Sequence, residues 1–353
     1  MKDKFEVEET VCPLCRDNKT KTIFVGRDRL CKRDGEFPVV RCEACGLTFT
    51  NPRPTQETMG YFYPDEYAPY QAFSLPYVSI YNKGETLFEK IKNELKYQVL
   101  KNYYGYDGLQ PPCRFPFLVK LPRGITKLIL KVSYTYFRGN YYRIPVWKEK
   151  GKALDLGCGS GAYLLLLKKI GWDVTGVDIN DNTSQEIKEA KIPVLTGKLQ
   201  ELKLESNSFD LITLWHVLEH LHSPLETLQE IHRLLKDNGI LLIEVPNSAS
   251  AIAKLFKSNW FAWDLPRHLC HFSPKTLSKL SNYTGFKISN ICYLSINNLG
   301  MSSIYWMEEN IGLKYHSQRL TKNKFLFYFL KFCGNILAMF HASDIIYIEA
   351  RKY

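Results

Sequence analysis

Residues 152–178 constrain the fold more than any other part of the chain. A short apolar strand there runs straight into Asp155-Leu156-Gly157-Cys158-Gly159-Ser160-Gly161, and a second apolar run ends in Val177-Asp178. Gly157, Gly159 and Gly161 lack Cβ atoms, so a strand-to-helix turn can adopt dihedrals closed to other residues. Its backbone N–H groups can then approach a ligand at the helix N-terminus. Residues 174–179 read as the next strand, with Asp178 placed to accept hydrogen bonds from ribose hydroxyls. The pattern describes a nucleotide-type cofactor site. A nicotinamide dehydrogenase is the alternative owner, but its fingerprint is G-x-G-x-x-G, whereas this turn is G-x-G-x-G preceded by Asp155.

From residue 152 onward the elements alternate. Strands are expected at 152–156, 173–178, 192–196, 209–215 and 239–245, separated by helices near 161–170, 182–190 and 224–236. Such alternation means right-handed βαβ units and a mostly parallel sheet, an α/β fold. A helix at 274–283 leads to a strand at 286–294, and residues 344–350 alternate as a final strand. Residues 296–342 read as an apolar, aromatic helical insert before it.

Four of the ten cysteines fall in two close pairs, Cys12-Pro-Leu-Cys15 and Cys42-Glu-Ala-Cys45-Gly46. Two such knuckles can present four thiolates to one tetrahedral zinc ion, with Val39-Val40-Arg41 and Leu47-Thr48-Phe49-Thr50 as short strands around the second. A closed site of four thiolates leaves zinc no open position, so Cys12, Cys15, Cys42 and Cys45 are expected to hold structural Zn2+. A redox pair is the alternative, but neither CxxC opens a helix after a thioredoxin-like strand.

At 353 residues the chain has room for about two domains, and 45% apolar content argues against disorder. The N-terminus has no apolar h-region, which predicts no secretory signal and a cytoplasmic protein. The longest apolar candidate, 325–340, is interrupted by Lys331, Gly334 and Asn335, so no transmembrane span is expected. Residues 71–150 carry fourteen Lys and Arg against five Asp and Glu, nine of the chain's net +11, together with ten of its 22 tyrosines. This stretch has three readings: a helical insert packing its rings on the following domain, an interfacial helix at 117–143 in peripheral contact with an anionic membrane face, or a nucleic-acid surface. Nucleic acid is the least expected of these partners.

The glycine segment resembles the first motif of class I S-adenosylmethionine (SAM) methyltransferases, with Asp178 at that family's ribose-binding position. The apolar run 209–215 is followed by His216-Val217-Leu218-Glu219-His220-Leu221-His222-Ser223-Pro224, a phrase similar to methyltransferases related to ubiquinone biosynthesis. The same residues spell H-x-x-E-H, a zinc-protease pattern that needs both histidines on one helix face; here it follows a strand end. Tyr61-Phe62-Tyr63-Pro64-Asp65-Glu66-Tyr67 resembles the linker of bacterial methyltransferases carrying the same ribbon. The resemblance implies a doubly wound, mostly parallel, Rossmann-like seven-stranded sheet with an antiparallel last strand. A small zinc ribbon (1–55) and a linker with a basic, aromatic helical insert (56–147) would precede a SAM-binding domain (148–353). It further implies that Asp155, Gly157, Gly159, Gly161 and Asp178 hold SAM, with Leu199, Trp215 and His216 bordering its adenine and methionine parts. Lys198 departs from the acidic residue of many relatives.

In an open parallel sheet, ligands lie beyond the carboxyl ends of the strands. Residues after the fourth and fifth strands are therefore expected to face the methyl group. Methyl transfer is an in-line displacement at carbon, and a hydroxyl or C–H acceptor must also lose a proton, a task suited to histidine. The loop Arg267-His268-Leu269-Cys270-His271-Phe272-Ser273 is similar to the E-H-x-x-Y-x-S of zinc-ribbon sugar methyltransferases, which puts His268 at the base position. Arg267 and His271 replace the Glu and Tyr, a change that could favour a more anionic acceptor. His220 is the second catalytic candidate and His271 the third. The expected function is methyl transfer from SAM to a small-molecule acceptor, a sugar or cell-envelope polysaccharide precursor. The alternatives are methylation of a lipid-borne quinone precursor at the membrane surface, an RNA methyltransferase or RNA-binding protein, and SAM binding without catalysis. The chain has no Asn-Pro-Pro-Tyr-type motif to support the RNA reading.

Overall fold

The computed structural model describes residues 5–64, 86–112, 123–140, 143–149, 151–181, 183–295, 298–312, 333–334, 336–338 and 340–353, without the side chains of 123 and 134–140. The end of the linker phrase (65–67), both ends of the 117–143 stretch and most of the 296–342 insert, including 325–332, lie outside the described residues. Two compact units result: Met1–Gln71 with Leu199–Tyr353, and Ala72–Lys198.

The strands, in chain order, are β1 (Val7–Glu8), β2 (Thr20–Gly26), β3 (Phe37–Cys42), β4 (Thr48–Thr50), β5 (Arg53–Pro54), β6 (Lys152–Leu156), β7 (Asp173–Asp178), β8 (Val194–Thr196), β9 (Phe209–Trp215), β10 (Leu235–Pro246), β11 (Cys270–His271), β12 (Phe286–Leu294) and β13 (Ile345–Lys352). The helices are α1 (Leu87–Tyr104), α2 (Arg123–Asn140), α3 (Ala162–Lys169), α4 (Gln185–Glu189), α5 (Pro224–Leu234), α6 (Ala251–Phe256), α7 (Pro274–Tyr283) and α8 (Asn298–Asn310).

Seven strands form one sheet in the order β12-β13-β10-β9-β6-β7-β8. β6, β7 and β8 are mutually parallel, as are β9 and β10, whereas β13 is antiparallel to both β10 and β12. This is the doubly wound, mostly parallel methyltransferase sheet expected from the sequence. The interior strands β6, β9 and β13 are mostly buried because both faces are covered, whereas the edge strand β12 alternates between exposed and partly buried residues. The alternation read at 344–350 is not what the structure shows: Ile345, Ile346, Tyr347 and Ile348 are all buried, because β13 is an interior strand. α5 covers the sheet with Thr227, Leu228, Ile231 and Leu234, the helical spacing of one apolar face.

The cysteine-bearing segment folds as a β2-β3-β4 meander that gains a fourth strand from far downstream, in the order β11-β4-β3-β2. Cys270 pairs with Phe49 and His271 with Thr48, and the Thr50 N–H donates to Leu269 O at 3.0 Å. Beneath lies an apolar cluster of Phe37, Val39, Met59, Phe62, Leu265 and Leu269, packed against Phe5, Tyr61 and Trp263. Each such ring or aliphatic chain contributes about 1.5–3 kcal/mol on burial.

In the second unit α1 starts at Thr86, whose hydroxyl accepts the Glu89 N–H, and stops at Gly105 in the left-handed conformation (φ 79°). Trp172 Nε1 donates to Tyr106 Oη at 3.0 Å, and Tyr106 donates to Pro145 O at 2.8 Å. A Cβ at Gly171 (φ 99°) would stand 2.8 Å from the Trp147 ring. The aromatics flanking the basic stretch thus pack on the α3–β7 connection. On α2, Ile125, Leu128 and Val132 are exposed beside Lys127 and Lys131. Among the described residues, no helix is long and apolar enough to cross a membrane.

Candidate functional site

β6 hands over to α3 through Gly157, Gly159 and Gly161, all at positive φ (70°, 52° and 83°). The N–H groups of Gly157 and Cys158 donate to Val177 O at 2.7 and 3.2 Å, fastening the turn to the end of β7. There the buried Asp178 accepts the Gly159 N–H on Oδ2 at 2.8 Å and the Asn180 N–H on Oδ1 at 3.1 Å. Each carboxylate oxygen keeps a lone pair for a further donor. The glycines answer different needs. A Cβ at Gly161 would lie 2.4 Å from Ile187 Cγ1, whereas one at Gly159 would meet nothing within 4 Å. An open-faced turn at a helix start, beside an oriented carboxylate, fits the ribose and charged end of an adenosyl cofactor.

In the first unit, Leu199 is buried in a short 3-10 turn, and Trp215 ends β9 stacked on Tyr347 at 6.2 Å. His216 follows at φ 56° and lies between two buried carboxylates. Its Nδ1 is 3.2 Å from Glu219 Oε1 and its Nε2 2.9 Å from Glu244 Oε1. Burial opposes charge on His216, but hydrogen bonds to Glu219 and Glu244 outweigh it and raise its pKa to about 10. His216 is therefore an imidazolium at neutral pH and accepts no proton. Burial likewise opposes charge on Glu219, and the hydrogen bond from His216 prevails, holding its carboxyl below the usual range.

His220 and His268 meet edge to face with ring centroids 4.6 Å apart. His220 Nδ1 is 3.0 Å from Arg267 O and 2.9 Å from Tyr63 Oη, and His268 Nδ1 is 2.8 Å from Ala262 O. A carbonyl only accepts, so each Nδ1 is the donor of its bond to the backbone, and His268 Nε2 faces Asp264 Oδ2 at 4.0 Å. Burial, then the neighbouring His268, pushes the His220 pKa down to about 4. His271 sits apart from this pair on β11, edge-on to Trp263 at 4.7 Å. Burial keeps it neutral, far below the usual histidine range.

Arg267 is fully buried and bound on every side. It forks onto Asp28 (2.7 and 2.9 Å), bonds Asp264 at 2.6 Å and donates to Phe62 O at 3.0 Å. Burial disfavours its charge, but Asp264 and Asp28 outweigh that and raise its pKa. Its guanidinium fastens the ribbon and linker to the histidine loop; the expectation that Arg267 favours an anionic acceptor is withdrawn. Arg53 Nη1 donates to His222 O at 2.8 Å and Lys279 Nζ to Cys45 O at 2.9 Å, tying the ribbon further to 222–279.

The four cysteine sulfurs converge, with Cys12···Cys45 at 3.4 Å, Cys15···Cys42 at 3.5 Å and all four within 4.8 Å of one another. A tetrahedron with bonds of about 2.3 Å has edges of about 3.8 Å, so the cluster fits one zinc ion. Gly46 (φ 83°) and Arg16 (φ 64°) turn the chain after each pair, and the Leu47 N–H points at Cys45 Sγ (3.4 Å).

With this geometry in place, one comparison bears directly on the sheet. Residues 133–290 match the family model of a methyltransferase domain. The matched region takes in the glycine turn, Asp178, His216, His220 and His268. A demethylmenaquinone methyltransferase of Staphylococcus aureus is 30% identical over 139 residues, 35% of this chain and 58% of that protein. YqeM of Bacillus subtilis is 31% identical over 123 residues, 32% of this chain and 49% of that protein. The chain thus spans about half the length of the curated relatives it matches. A SAM-dependent methyltransferase structure from Archaeoglobus fulgidus, at 22% identity and a TM-score of 0.39, covers 65% of this chain and 95% of that one.

Within the matched region, Asp178 stands against the glycine turn, and His220 stands against His268. His271 lies outside that histidine pair, and His216 is an ion-paired residue. Asp28, Asp264 and Tyr63, which position the pair, were missed. Asp28 and Tyr63 act across long sequence separations and leave no local signal, whereas Asp264 lies three residues from Arg267, an i,i+3 ion-pair spacing that could have marked it. Glu219 stands in the H-x-x-E-H phrase and Glu244 near the end of the strand expected at 239–245, but nothing in sequence shows that one histidine bridges them.

Proposed function

We propose that this protein is a SAM-dependent methyltransferase acting on a small-molecule acceptor, a sugar or cell-envelope polysaccharide precursor, in the cytoplasm. The observation that carries the reading is the Gly159–Asp178 contact at the ends of β6 and β7, inside the region matching a methyltransferase domain. Bound there, SAM supplies an electrophilic methyl group. Asp178 would hold the ribose, and the open face at Gly159 would admit the cofactor. The remaining task is to take the acceptor's proton, for which His268 is the first choice and His220 the second, each through an unprotonated Nε2. Zn2+ on Cys12, Cys15, Cys42 and Cys45 is assigned a structural role. The preference for a sugar rests on the resemblance to ribbon-bearing sugar methyltransferases.

Calorimetry with SAM and metal analysis on one sample, followed by methyl-labelled SAM with activated sugars, tests this reading. About micromolar SAM binding with one zinc per chain supports it. A folded, zinc-loaded protein that binds no SAM removes it.

A second reading is methylation of a lipid-borne quinone precursor at the inner membrane face. It is favoured by the S. aureus relative and by the exposed Ile125, Leu128 and Val132 beside Lys127 and Lys131. Co-sedimentation with anionic vesicles that weakens with salt would support it over the sugar reading.

A further inference from the structure

Glu219, His220 and His268 form a constellation that proton removal by one histidine does not require. We propose that these three side chains bind a divalent transition cation, a second metal site built from nitrogen and oxygen and separate from the cysteine cluster. One carboxylate oxygen of Glu219 and one ring nitrogen from each of His220 and His268 lie within 4.8 Å of one another. A tetrahedral ion with bonds of about 2.0–2.1 Å needs ligand separations of about 3.3 Å, which modest side-chain rotation supplies.

Three observations point to a cation rather than a packed polar cluster. Both Nδ1 atoms are held by backbone carbonyls, Arg267 O at 3.0 Å and Ala262 O at 2.8 Å, which leaves Nε2 as the ligand atom of each ring, that of His268 4.0 Å from Asp264 Oδ2. Ring N–H bonded to a carbonyl is the usual support of a ligating histidine. Glu219 is 1% exposed, with Oε1 engaged by His216 and Oε2 left without any partner. Leaving a buried charged acceptor unpaired is costly, and a bound cation removes that cost. The H-x-x-E-H phrase also does not bind as a protease motif would, since both nitrogens of His216 face carboxylates. The second nitrogen ligand comes instead from His268, 48 positions after His220 in the chain.

Two nitrogens and one carboxylate oxygen suit zinc, iron(II), cobalt(II) or manganese(II) and leave positions open. The partly exposed His220 gives access, and the fitting ligand is an acceptor carrying a hydroxyl or carbonyl oxygen. With the cation bound, His220 and His268 are ligands instead of the base, and a metal-bound acceptor hydroxyl loses its proton to solvent; this role for the acceptor rests on the methyltransferase reading, whereas cation binding itself needs no SAM.

The test is a Co2+ titration of the full-length, zinc-loaded protein. The expected result is one further equivalent whose ligand-field absorption lacks sulfur-to-metal charge transfer. At least tenfold weaker binding is expected in both Glu219→Gln and His268→Ala. In the wild-type cobalt form, two exchangeable, contact-shifted N–H resonances should report the two buried Nδ1–H groups, which decides the matter even if a variant fails to fold. No further equivalent, charge-transfer absorption from sulfur, or undiminished binding in both variants would overturn the site. SAM calorimetry on the same sample separates the two readings: cobalt uptake without SAM binding removes the methyltransferase proposal alone, and SAM binding without cobalt uptake removes the metal site alone.

Discussion

The glycine turn and the histidine cluster are built on opposite plans. The turn takes its parts from residues 152–180, and its defining contact joins Gly159 to Asp178. The cluster gathers Asp28, Tyr63, residues 216–220, Glu244 and the loop 262–268, fastened by Arg267 and by the pairing of β11 with β4. A site made of neighbours in sequence depends on local backbone geometry, whereas one made of distant segments depends on every fastening between them.

Removing the zinc proposed for the four cysteines is the severest way to break this contrast. Structural zinc in small ribbons is worth about 10–16 kcal/mol of apparent binding energy. Chelation, or Cys12→Ser with Cys15→Ser, should unfold the β2-β3-β4 meander, free β11 and the histidine loop, and lower methyl transfer at least about a hundredfold. SAM affinity by calorimetry should stay within about tenfold. Equal loss of both activities would show that the two regions are not separable.

Next in size is Asp28→Asn, which leaves the buried Arg267 short of a carboxylate. We expect about 3–5 kcal/mol of lost stability in denaturant unfolding. A loss below about 1 kcal/mol would show that the ribbon's charge does not hold the loop. His268→Ala should keep SAM affinity within a few-fold while turnover falls about a hundredfold or more, and unchanged turnover would remove His268 from the mechanism.

A pair of alanine substitutions sharpens the contrast inside the turn. Both Gly159→Ala and Gly161→Ala force a Cβ into a left-handed conformation at about 1–2 kcal/mol. Only at Gly161 does that Cβ also collide with Ile187, adding about 1–3 kcal/mol of overpacking. Gly161→Ala should therefore lose more stability, and Gly159→Ala should lose more SAM affinity for its stability cost, about tenfold. The reverse ranking would place the ligand on the wrong side of the turn.

The smallest effect is acid sensitivity. Burial depresses the folded pKa of His222, which bonds Pro54 O, and of His271 on β11. The unfolded chain then binds more protons, so stability is full above the unfolded value of about 6.5 and falls as pH drops below it. The melting temperature should drop by roughly a few degrees one unit lower. His222→Gln should blunt this decline, and a flat profile would place these histidines in solvent.

Legibility followed the same division. β6, β7, β9 and β12 were read to the residue because apolar runs between turn signals encode them, and α7 because Ser273 and Pro274 mark its start. β2 was missed: in TKTIFVG only Thr20, Phe24 and Gly26 are partly covered and none is buried, so no buried face shows in its pattern. β11 was missed because two residues carry no periodicity; they are a strand only because β4 offers an edge. The cofactor turn was legible in its motif. The bond between Arg267 and Asp28 was not, since charge complementarity across that distance leaves no local trace.

That borrowed strand has a consequence for how the protein is made. Both cysteine knuckles leave the ribosome early and can close on a metal ion while the rest of the chain is still being synthesised. β4, however, keeps an unpaired edge until Cys270 and His271 emerge, some 220 residues later. During that interval the half-built sheet is an open template for other strands, so correct assembly is a race between translation and aggregation.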